Sequence, residues 1–475
     1  SSLSQYLGWF YETAVFLYEL LSETGSLYVH LDATVSHYAK TILDSVFGRD
    51  NFRNEIVWNY FKPHASKKVW PRNCDFLFFY TKGEQWEFNE KAILIEYDEK
   101  AIRRYDKVDK DGRRYKLYNE RGGKVRKAYI KDGRPDSVLK IPFVQGTSLE
   151  RLNYPTQKPE ALLERIIRAS SNEGDLVLDC FCGSGTTPAV AEKLKRRWIA
   201  CDLGRFAVHT ARKRLLAIEN VRPFVVQNLG KYERQHWQRA EFGAAAQLTY
   251  RKFILDLYRA QPVAGYTWLH GAKGGRMVHV GAVDSPVAQG DVRSIAIEFQ
   301  HAIGTGAGAP RLAGVDVLGW DFALDMNETA AQIAAEAGLR LRFLRIPREV
   351  LEKKAVDQGD IHFFELAALS VAHTVARREL SIELTDFMVP PDDVPEDVRK
   401  AVRHWSDWID YWAVDFNHRD DTFHNQWQTY RTRKDRSLLL RANHRYSEPG
   451  DYVVLVKAID ILGNDTTKTL NVRVG

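Results

Sequence analysis

Two apolar runs near the start of the chain have the length and composition of buried strands. Residues 26–32, Ser-Leu-Tyr-Val-His-Leu-Asp, are rich in β-formers and follow the turn residue Gly25. Residues 75–81, Asp-Phe-Leu-Phe-Phe-Tyr-Thr, are almost continuously apolar. Runs of this kind are covered on both faces, so the pattern predicts parallel strands of an α/β sheet, with residues 1–50 reading as helix, strand, helix. After Pro159, which can open a helix, Leu162, Leu163, Ile166 and Ile167 recur at helical spacing with Glu164, Arg165 and Arg168 between them. Strands at 176–179, 198–202 and 224–226, separated by helical segments, predict a doubly wound, Rossmann-like sheet.

A second α/β region begins near residue 263. Its strand candidates are 277–281, 294–298, 341–346 and 362–366, with a helix at 330–337 and another opened by Pro347. Pro390-Pro391 starts a polar linker. From about 405 the pattern turns to short β-like runs, ending in 451–458 and 467–474 joined through Leu462-Gly463-Asn464-Asp465, a hairpin turn. The predicted organisation is therefore a core over 1–235 with an insertion at 100–150, an accessory α/β domain over 236–395, and a β-sandwich tail over 405–475.

Composition agrees with several globular domains: 475 residues, 44% hydrophobic, 12% aromatic and 27% charged. Four cysteines, Cys74, Cys180, Cys182 and Cys201, are too few for a disulfide scaffold and have no zinc-finger spacing. Packing accounts for Cys180-x-Cys182 better than a metal does, and no metal site is predicted. The first thirty residues lack a basic segment, and Glu12 and Glu19 interrupt their apolar run, so neither a signal peptide nor a membrane span is expected. The reading is a soluble, cytoplasmic protein, and Ser1 in place of Met points to a truncated product.

Charge changes the picture locally. Residues 100–140 hold 15 Lys and Arg against 6 Asp and Glu, an excess of nine cations in a chain whose whole excess is six. Tyr105, Tyr115, Tyr118 and Tyr129 are interleaved among them. Cations with aromatics suit a phosphate backbone and unstacked bases, although taken alone the stretch also reads as a solvated, loopy insertion.

The strongest chemical pattern is Asp175-Leu-Val-Leu-Asp-Cys-Phe-Cys-Gly-Ser-Gly-Thr-Thr187. A strand runs into a glycine turn and a helix begins, leaving N–H groups free for an anion; Gly183 and Gly185 let backbone approach a ligand closely. About twenty residues on, the next strand ends in Asp202, placed as an acid that binds ribose hydroxyls is placed. By mechanism alone this is a nucleotide or an S-adenosylmethionine (SAM) site. The third glycine of a dinucleotide fingerprint and the lysine of a P-loop are both missing.

Asp179-Cys-Phe-Cys-Gly-Ser-Gly-Thr-Thr187 resembles motif I of the DNA adenine-N6 and cytosine-N4 methyltransferases, and Tyr154-Pro-Thr-Gln-Lys-Pro-Glu160 resembles their motif X. Residues 25–32, 38–58 and 75–82 are similar to motifs VI, VII and VIII. The order matches the permuted group that includes type III modification subunits. The resemblance implies a SAM-dependent methyltransferase acting on double-stranded DNA, adenine-N6 first, in a restriction–modification or phage-defence system. A restriction or helicase subunit, or a second copy, is the implied partner. It implies cofactor contacts from Thr156, Gln157, Lys158, Pro159, Asp179, Phe181, Gly183, Ser184, Gly185, Thr186 and Asp202. Arg103, Arg104, Arg113, Arg114, Arg126 and Lys127 then fall in the target-recognition region as phosphate contacts, with base flipping expected.

One element of the family pattern is missing. The catalytic Asp-Pro-Pro-Tyr, which in the family precedes motif VI, occurs nowhere in the sequence; Pro390-Pro391-Asp392 does not match it. No catalytic residue is therefore assigned in this chain, and the expectation places the motif upstream of Ser1. A core without that strand should show a gap or open edges near motif I. His30 and Asp32 are the candidate pocket residues. The alternatives are a SAM- or DNA-binding remnant without catalysis, and an RNA methyltransferase. In the second half, Glu352-Lys353-Lys354 with Asp316 and Asp321 is a weak nuclease pattern beside the preferred docking role. The polar group Asp415, Arg419, Asp420 and Asp421 reads as a solvated loop. The last sixty or so residues resemble an immunoglobulin-like sandwich of the polycystic-kidney-disease (PKD) repeat type.

Overall fold

The computed structural model describes the chain except residues 1–2, 61–69, 71, 120–124, 132, 228–243, 284, 303–313, 321, 323–332, 334–335, 347–362, 366, 390–393, 395, 420–421 and 434. It divides into two compact units, 1–225 and 226–475.

In the first unit, helix α1 (Leu3–Leu20), strand β1 (Ser26–Leu31) and helix α2 (Ser36–Phe47) follow the predicted order. Strands β2 (Phe52–Asn59) and β3 (Cys74–Thr81) come next. The two apolar runs are neighbours, but β1 and β2 both pair with β3 in antiparallel register, His30 opposite Leu77 and Ile56 opposite Leu77. The expected parallel pairing is thus corrected. Continuous apolarity reports cover on both faces, not direction. One face carries Phe10, Ala14, Ala39, Leu43, Phe47, Phe78 and Tyr80, and the other Trp58, Tyr60, Leu77, Leu139 and Leu162.

The basic segment is mostly strand. It comprises β4 (Leu94–Ile95), α3 (Glu99–Arg103), β5 (Lys107–Val108), β6 (Arg114–Asn119), β7 (Val125–Tyr129), β8 (Arg134–Pro135) and β9 (Val138–Lys140). Strand β9 joins β2 in parallel and completes a sheet of order β1-β3-β2-β9; β5-β6-β7 form their own antiparallel sheet.

Helix α4 (Glu160–Ser170) buries Leu162 and Ile167, as its spacing predicts. Then come β10 (Leu176–Asp179), α5 (Thr186–Lys193), β11 (Arg197–Ala200) and α6 (Arg205–Leu216), with β10 and β11 parallel. Residues 224–226 form no strand, which corrects that expectation. Phe224 instead packs its ring 5.7 Å from that of Trp198. Helix α4 links the two parts, since Leu162 sits with the β2–β3 core, Ile167 packs on Val190 and Ala191 of α5, and Ser170 meets the Tyr28 hydroxyl at 2.7 Å. Among the described residues β1 pairs only with β3, and β10 only with β11. Leu176, Leu178 and Ile199, on one face of the β10–β11 pair, are 41–52% exposed.

The second unit starts with α7 (Ala244–Tyr258). Strands β12 (Gln261–Pro262), β13 (Gly271–Lys273), β14 (Arg276–Val280), β15 (Gly314–Gly319), β16 (Arg340–Arg345) and β17 (Phe364–Glu365) form one sheet in that order, with β14, β15 and β16 parallel. Residues 294–298, read as strand, lie inside helix α8 (Gln289–Ala302). Val292, Ile295, Ala296, Phe299 and Ala302 give the full helical stripe, and the five-residue window was too short to display it. Most of the helix expected over 330–337 lies outside the described residues, as do Pro347, Glu352-Lys353-Lys354 and Asp321.

Strands β18 (Ala368–Ala376) and β19 (Glu379–Met388), helix α9 (Glu396–Ala401), β20 (Ile409–Asp415), β21 (Trp427–Tyr430), β22 (Arg441–Arg445), β23 (Gly450–Asp460) and β24 (Asp465–Val474) complete the chain. The sheets β18-β19-β22 and β21-β20-β23-β24 share one core that includes Leu380, Ile382, Trp412, Val414, Val454 and Val456. The all-β part therefore begins near 368, not 405. Its first hairpin, β18–β19, turns through Arg377-Arg378, which lacks the Gly-Asn-Asp chemistry that marks the later turn in the sequence.

Candidate functional site

The 154–160 segment and the 179–187 turn meet at the carboxyl ends of β10 and β11. Gly183 (φ 49°) and Gly185 (φ 73°) both take left-handed backbone, so the turn between β10 and α5 requires glycine. Their surroundings differ from expectation at one position. A Cβ on Gly185 would lie 2.6 Å from the Cβ of Ala211, so this glycine admits α6, not a ligand. A Cβ on Gly183 would stand 3.2 Å from the Tyr154 ring at the open side of the turn.

Asp202 organises that turn. Its carboxylate accepts the Gly183 N–H at 2.8 Å and the Gly204 N–H at 2.8 Å. Asp179 accepts the Phe181 N–H at 3.0 Å. Aromatic rings stand around the mouth: Phe181, 59% exposed, packs edge-on to Trp9 at 5.7 Å, and Tyr154 stacks on Phe206 at 6.1 Å. Burial raises the Tyr154 phenol, and the Asp202 charge adds to it.

The 154–160 segment is locked to this turn by groups the sequence reading missed. Arg214 of α6, almost wholly buried, donates to the Thr186 hydroxyl at 2.8 Å and to the Glu160 carboxylate at 3.0 Å. Thr186 donates to the Lys158 carbonyl at 3.1 Å, and Glu160 also receives Lys193 at 2.5 Å. Burial pushes the Glu160 carboxyl up, but Lys193 and Arg214 outweigh it and hold the group below the usual range. Gln157 bridges the Leu152 N–H and the Glu150 carbonyl, which fixes the loop before Pro159. Thr156 is exposed, whereas Ser184 and Thr186 are buried.

A second polar cluster lies where β1, β2 and β3 meet. Asp75 takes His30 at 3.1 Å and the Tyr60 hydroxyl at 3.0 Å; the His30 ring packs edge-on to Trp58 at 5.5 Å. Burial pushes the Asp75 carboxyl up, and the His30 and Tyr60 hydrogen bonds outweigh it. Burial and Asp75 push the Tyr60 phenol to about 12. Lys158 joins the two clusters: burial pulls its ammonium down, while the Asp75 and Asp179 charges oppose that. His30 and Asp32, predicted together, part company. The Asp32 carboxylate accepts the Thr34 N–H at 2.9 Å and its carbonyl accepts the Ser36 N–H, so it serves the turn into α2.

Cys180, Cys182 and Cys201 lie near one another. Burial, then Asp179, pushes the Cys180 thiol to about 11 and the Cys182 thiol to about 12, and the described residues contain no metal-binding group of three. Of the weak nuclease pattern only Asp316 lies among the described residues. Asp316, 1% exposed, is held by Arg276 at 2.7 Å, Arg342 at 3.0 Å and Tyr258 at 2.8 Å at the amino-terminal end of the parallel strands, which is a structural pairing. Asp415, read as part of a solvated loop, is buried and accepts the N–H groups of Asn417 and His424.

The six predicted phosphate contacts lie on or beside α3 and the β5-β6-β7 sheet, all exposed; Arg103 is paired with Glu99 at 3.2 Å. No described helix is long and apolar enough to cross a membrane.

A family model described as DNA methylase, of the N6/N4 type, matches residues 1–213. The DNA adenine methyltransferase YhdJ of Escherichia coli K12 is 30% identical over 212 residues, covering 44% of this chain and 67% of YhdJ. The chain belongs to the N6/N4 DNA methylase family. The type II methyltransferase M.HpaI of Haemophilus parainfluenzae, another similar protein, is 30% identical over 215 residues, 45% of this chain and 60% of M.HpaI. A solved structure of the M1.HpyAVI–SAM complex matches 46% of this chain and 84% of its own, with 21% identity and a TM-score of 0.30. The chain thus spans about 60% of the length of the first relatives it matches. The N6/N4 match ends within α6, so the second unit lies outside it.

Proposed function

We infer that the first unit binds SAM and serves methyl transfer to an exocyclic amine of a DNA base, with adenine N6 as the target. The observation that carries this reading is the joining of the 154–160 segment, the glycine turn and Asp202 into one site by Arg214, Thr186 and Glu160, in a chain of the N6/N4 family.

The residues present fit that cofactor. Asp202 offers a carboxylate for ribose hydroxyls, and Phe181, Tyr154 and Phe206 offer ring faces to an adenine. The N-terminus of α5, with Ser184 and Thr186 beside it, suits the methionine carboxylate, and Thr156–Pro159 flank it. Bound there, SAM supplies an electrophilic methyl group. The chain's own residues orient and enclose. Arg214 holds the two halves of the site together, Lys158 balances the carboxylates of Asp75 and Asp179, and Asp75 fixes the rings of His30 and Tyr60. Adenine is preferred because YhdJ carries that specificity in its name.

The permuted order accounts for a recognition region over 100–150, ahead of the segment that closes on the cofactor. The catalytic Asp-Pro-Pro-Tyr is absent from the sequence, so no residue of this chain is assigned to the transfer step itself. Among the described residues β1 pairs only with β3 and β10 only with β11, which leaves room for a strand carrying such a motif beside either. The all-β part after 368 is assigned as a PKD-type contact module, and the α/β part before it as an accessory domain that docks a restriction or helicase subunit or a second copy.

The test is transfer of labelled methyl from SAM to matched duplex DNA and RNA by the full-length polypeptide. Label in N6-methyladenine of DNA supports the reading. Label in N4-methylcytosine keeps the class and changes the base. Label in RNA alone overturns the DNA assignment, and SAM binding without transfer favours the binding remnant.

A further inference from the structure

No residue of the β5-β6-β7 sheet enters a described hydrophobic core cluster of the first unit. Strand β5 pairs only with the first two residues of β6, so from Lys116 onward β6 and β7 form a two-stranded ribbon. Neither β6 nor β7 contains a described acidic residue.

Strand alternation and register sort its side chains into two faces. Arg114, Lys116 and Tyr118 share one face with Arg126, which is opposite Tyr118. Tyr115, Leu117, Lys127 and Tyr129 share the other, together with Lys107, which is opposite Tyr115. The contacts agree with this division: Lys116 lies over the Tyr118 ring at 4.6 Å, Lys127 over the Tyr115 ring at 4.8 Å, and the Tyr115 and Tyr129 rings are 5.6 Å apart. Both faces are open. Leu117, Tyr118, Val125 and Tyr129 are 42–58% exposed, and no described carboxylate pairs with Lys107, Arg114, Lys116, Arg126 or Lys127.

A sheet that binds a flat partner needs cations on one face only. Cations on both faces of a narrow, unpacked ribbon fit an anionic cleft with two walls. The major groove of B-DNA is about 12 Å wide, admits a two-stranded ribbon and is bounded by phosphates on each side. The A-form major groove of RNA is too narrow and deep for this. Lysines held over tyrosine rings keep their charge and are pre-positioned, so less side-chain freedom is lost on binding.

We propose that the β6–β7 ribbon inserts into the major groove of duplex DNA, with Arg126 on the ribbon and Arg114 at its base against one phosphate wall, and Lys127 on the ribbon and Lys107 of β5 at its base against the other. This inference rests on the DNA-directed reading of the first unit and adds the mode of entry. Arg103, tied to Glu99, is outside the wall contacts and contributes less than the ribbon cations.

The test is duplex binding by fluorescence anisotropy at several salt concentrations, using the full chain and two double variants, Arg114→Gln/Arg126→Gln and Lys107→Gln/Lys127→Gln. Each pair should weaken binding and lower the log–log salt slope by about two, since each phosphate contact contributes about 0.9. A major-groove ligand such as methyl green should displace the protein, and the minor-groove ligand distamycin should not. Unchanged melting curves of the variants show that the fold is intact. An effect from one pair alone means a flat contact and overturns the proposal, as does displacement by distamycin or equal binding to duplex RNA. Those results leave the DNA-directed function standing, whereas no duplex binding by the unaltered chain overturns both.

Discussion

Single side chains in each unit have their protonation fixed by the fold. His270 and His279 lie 4.9 Å apart in the second unit, and burial pulls them down to about 3 and about 4. His270 accepts the Val280 N–H on Nδ1, a bond that protonation of that nitrogen would remove. An unfolded histidine takes up a proton near pH 6.5, well above either folded value. Between pH 6.5 and about 4 the unfolded chain therefore binds protons that the folded unit refuses, and stability is lost as pH falls through that window. The melting temperature of the second unit should drop steadily below pH 6.5, and the drop should be smaller in His279→Gln. An identical pH profile in that variant would count against the buried neutral pair as the cause.

At the scale of elements, one cation touches all three of α4, α5 and α6. Arg214 joins Glu160 at the start of α4 to Thr186 at the start of α5, and its side chain is only 6% exposed. Replacing it with Met leaves the partly buried Glu160 with Lys193 alone and should cost about 3 kcal/mol. Calorimetric unfolding measures this, and a loss below about 1 kcal/mol would show that the helices pack without the clamp. This tie was invisible in the sequence because its members are 28 and 54 residues apart and none belongs to a local pattern. The glycine turn, Asp202 and α4 were legible because strand, turn and helix periodicity are local. Failures occurred where local pattern is silent. Apolar runs could not tell antiparallel β3 from a parallel strand, and a five-residue alternation concealed the helical stripe of α8. His30 and Asp32 looked equivalent at one strand end until their partners, Asp75 and the turn at Thr34, separated them.

At the scale of the molecule, the described residues of the first unit form four sheets, and β1, β9, β10 and β11 are edge strands among them. The expectation of open edges near the glycine turn came from the missing tetrapeptide; among the described residues β10 and β11 pair only with each other there, and β1 pairs only with β3. The half-exposed Leu176, Leu178 and Ile199 add an uncovered apolar face to the same region. A longer polypeptide that supplies a strand between these edges should melt several degrees above residues 1–475. Equal midpoints would mean that the gap is not filled in that way. The accessory and all-β parts were less legible in function than in fold, because their conspicuous charged groups, such as Asp316 with Arg276 and Arg342, are used up in holding the sheet.

The central claim is the cofactor site, and equilibrium binding of SAM to the chain tests it most directly. Calorimetric titration should give one saturable site per chain, with no comparable binding of ATP or NAD. Asp202→Ala should weaken it at least tenfold, in line with the loss of a hydrogen-bonded charge, about 1.5–3 kcal/mol. Absence of SAM binding, or affinity unchanged in Asp202→Ala, would contradict the account.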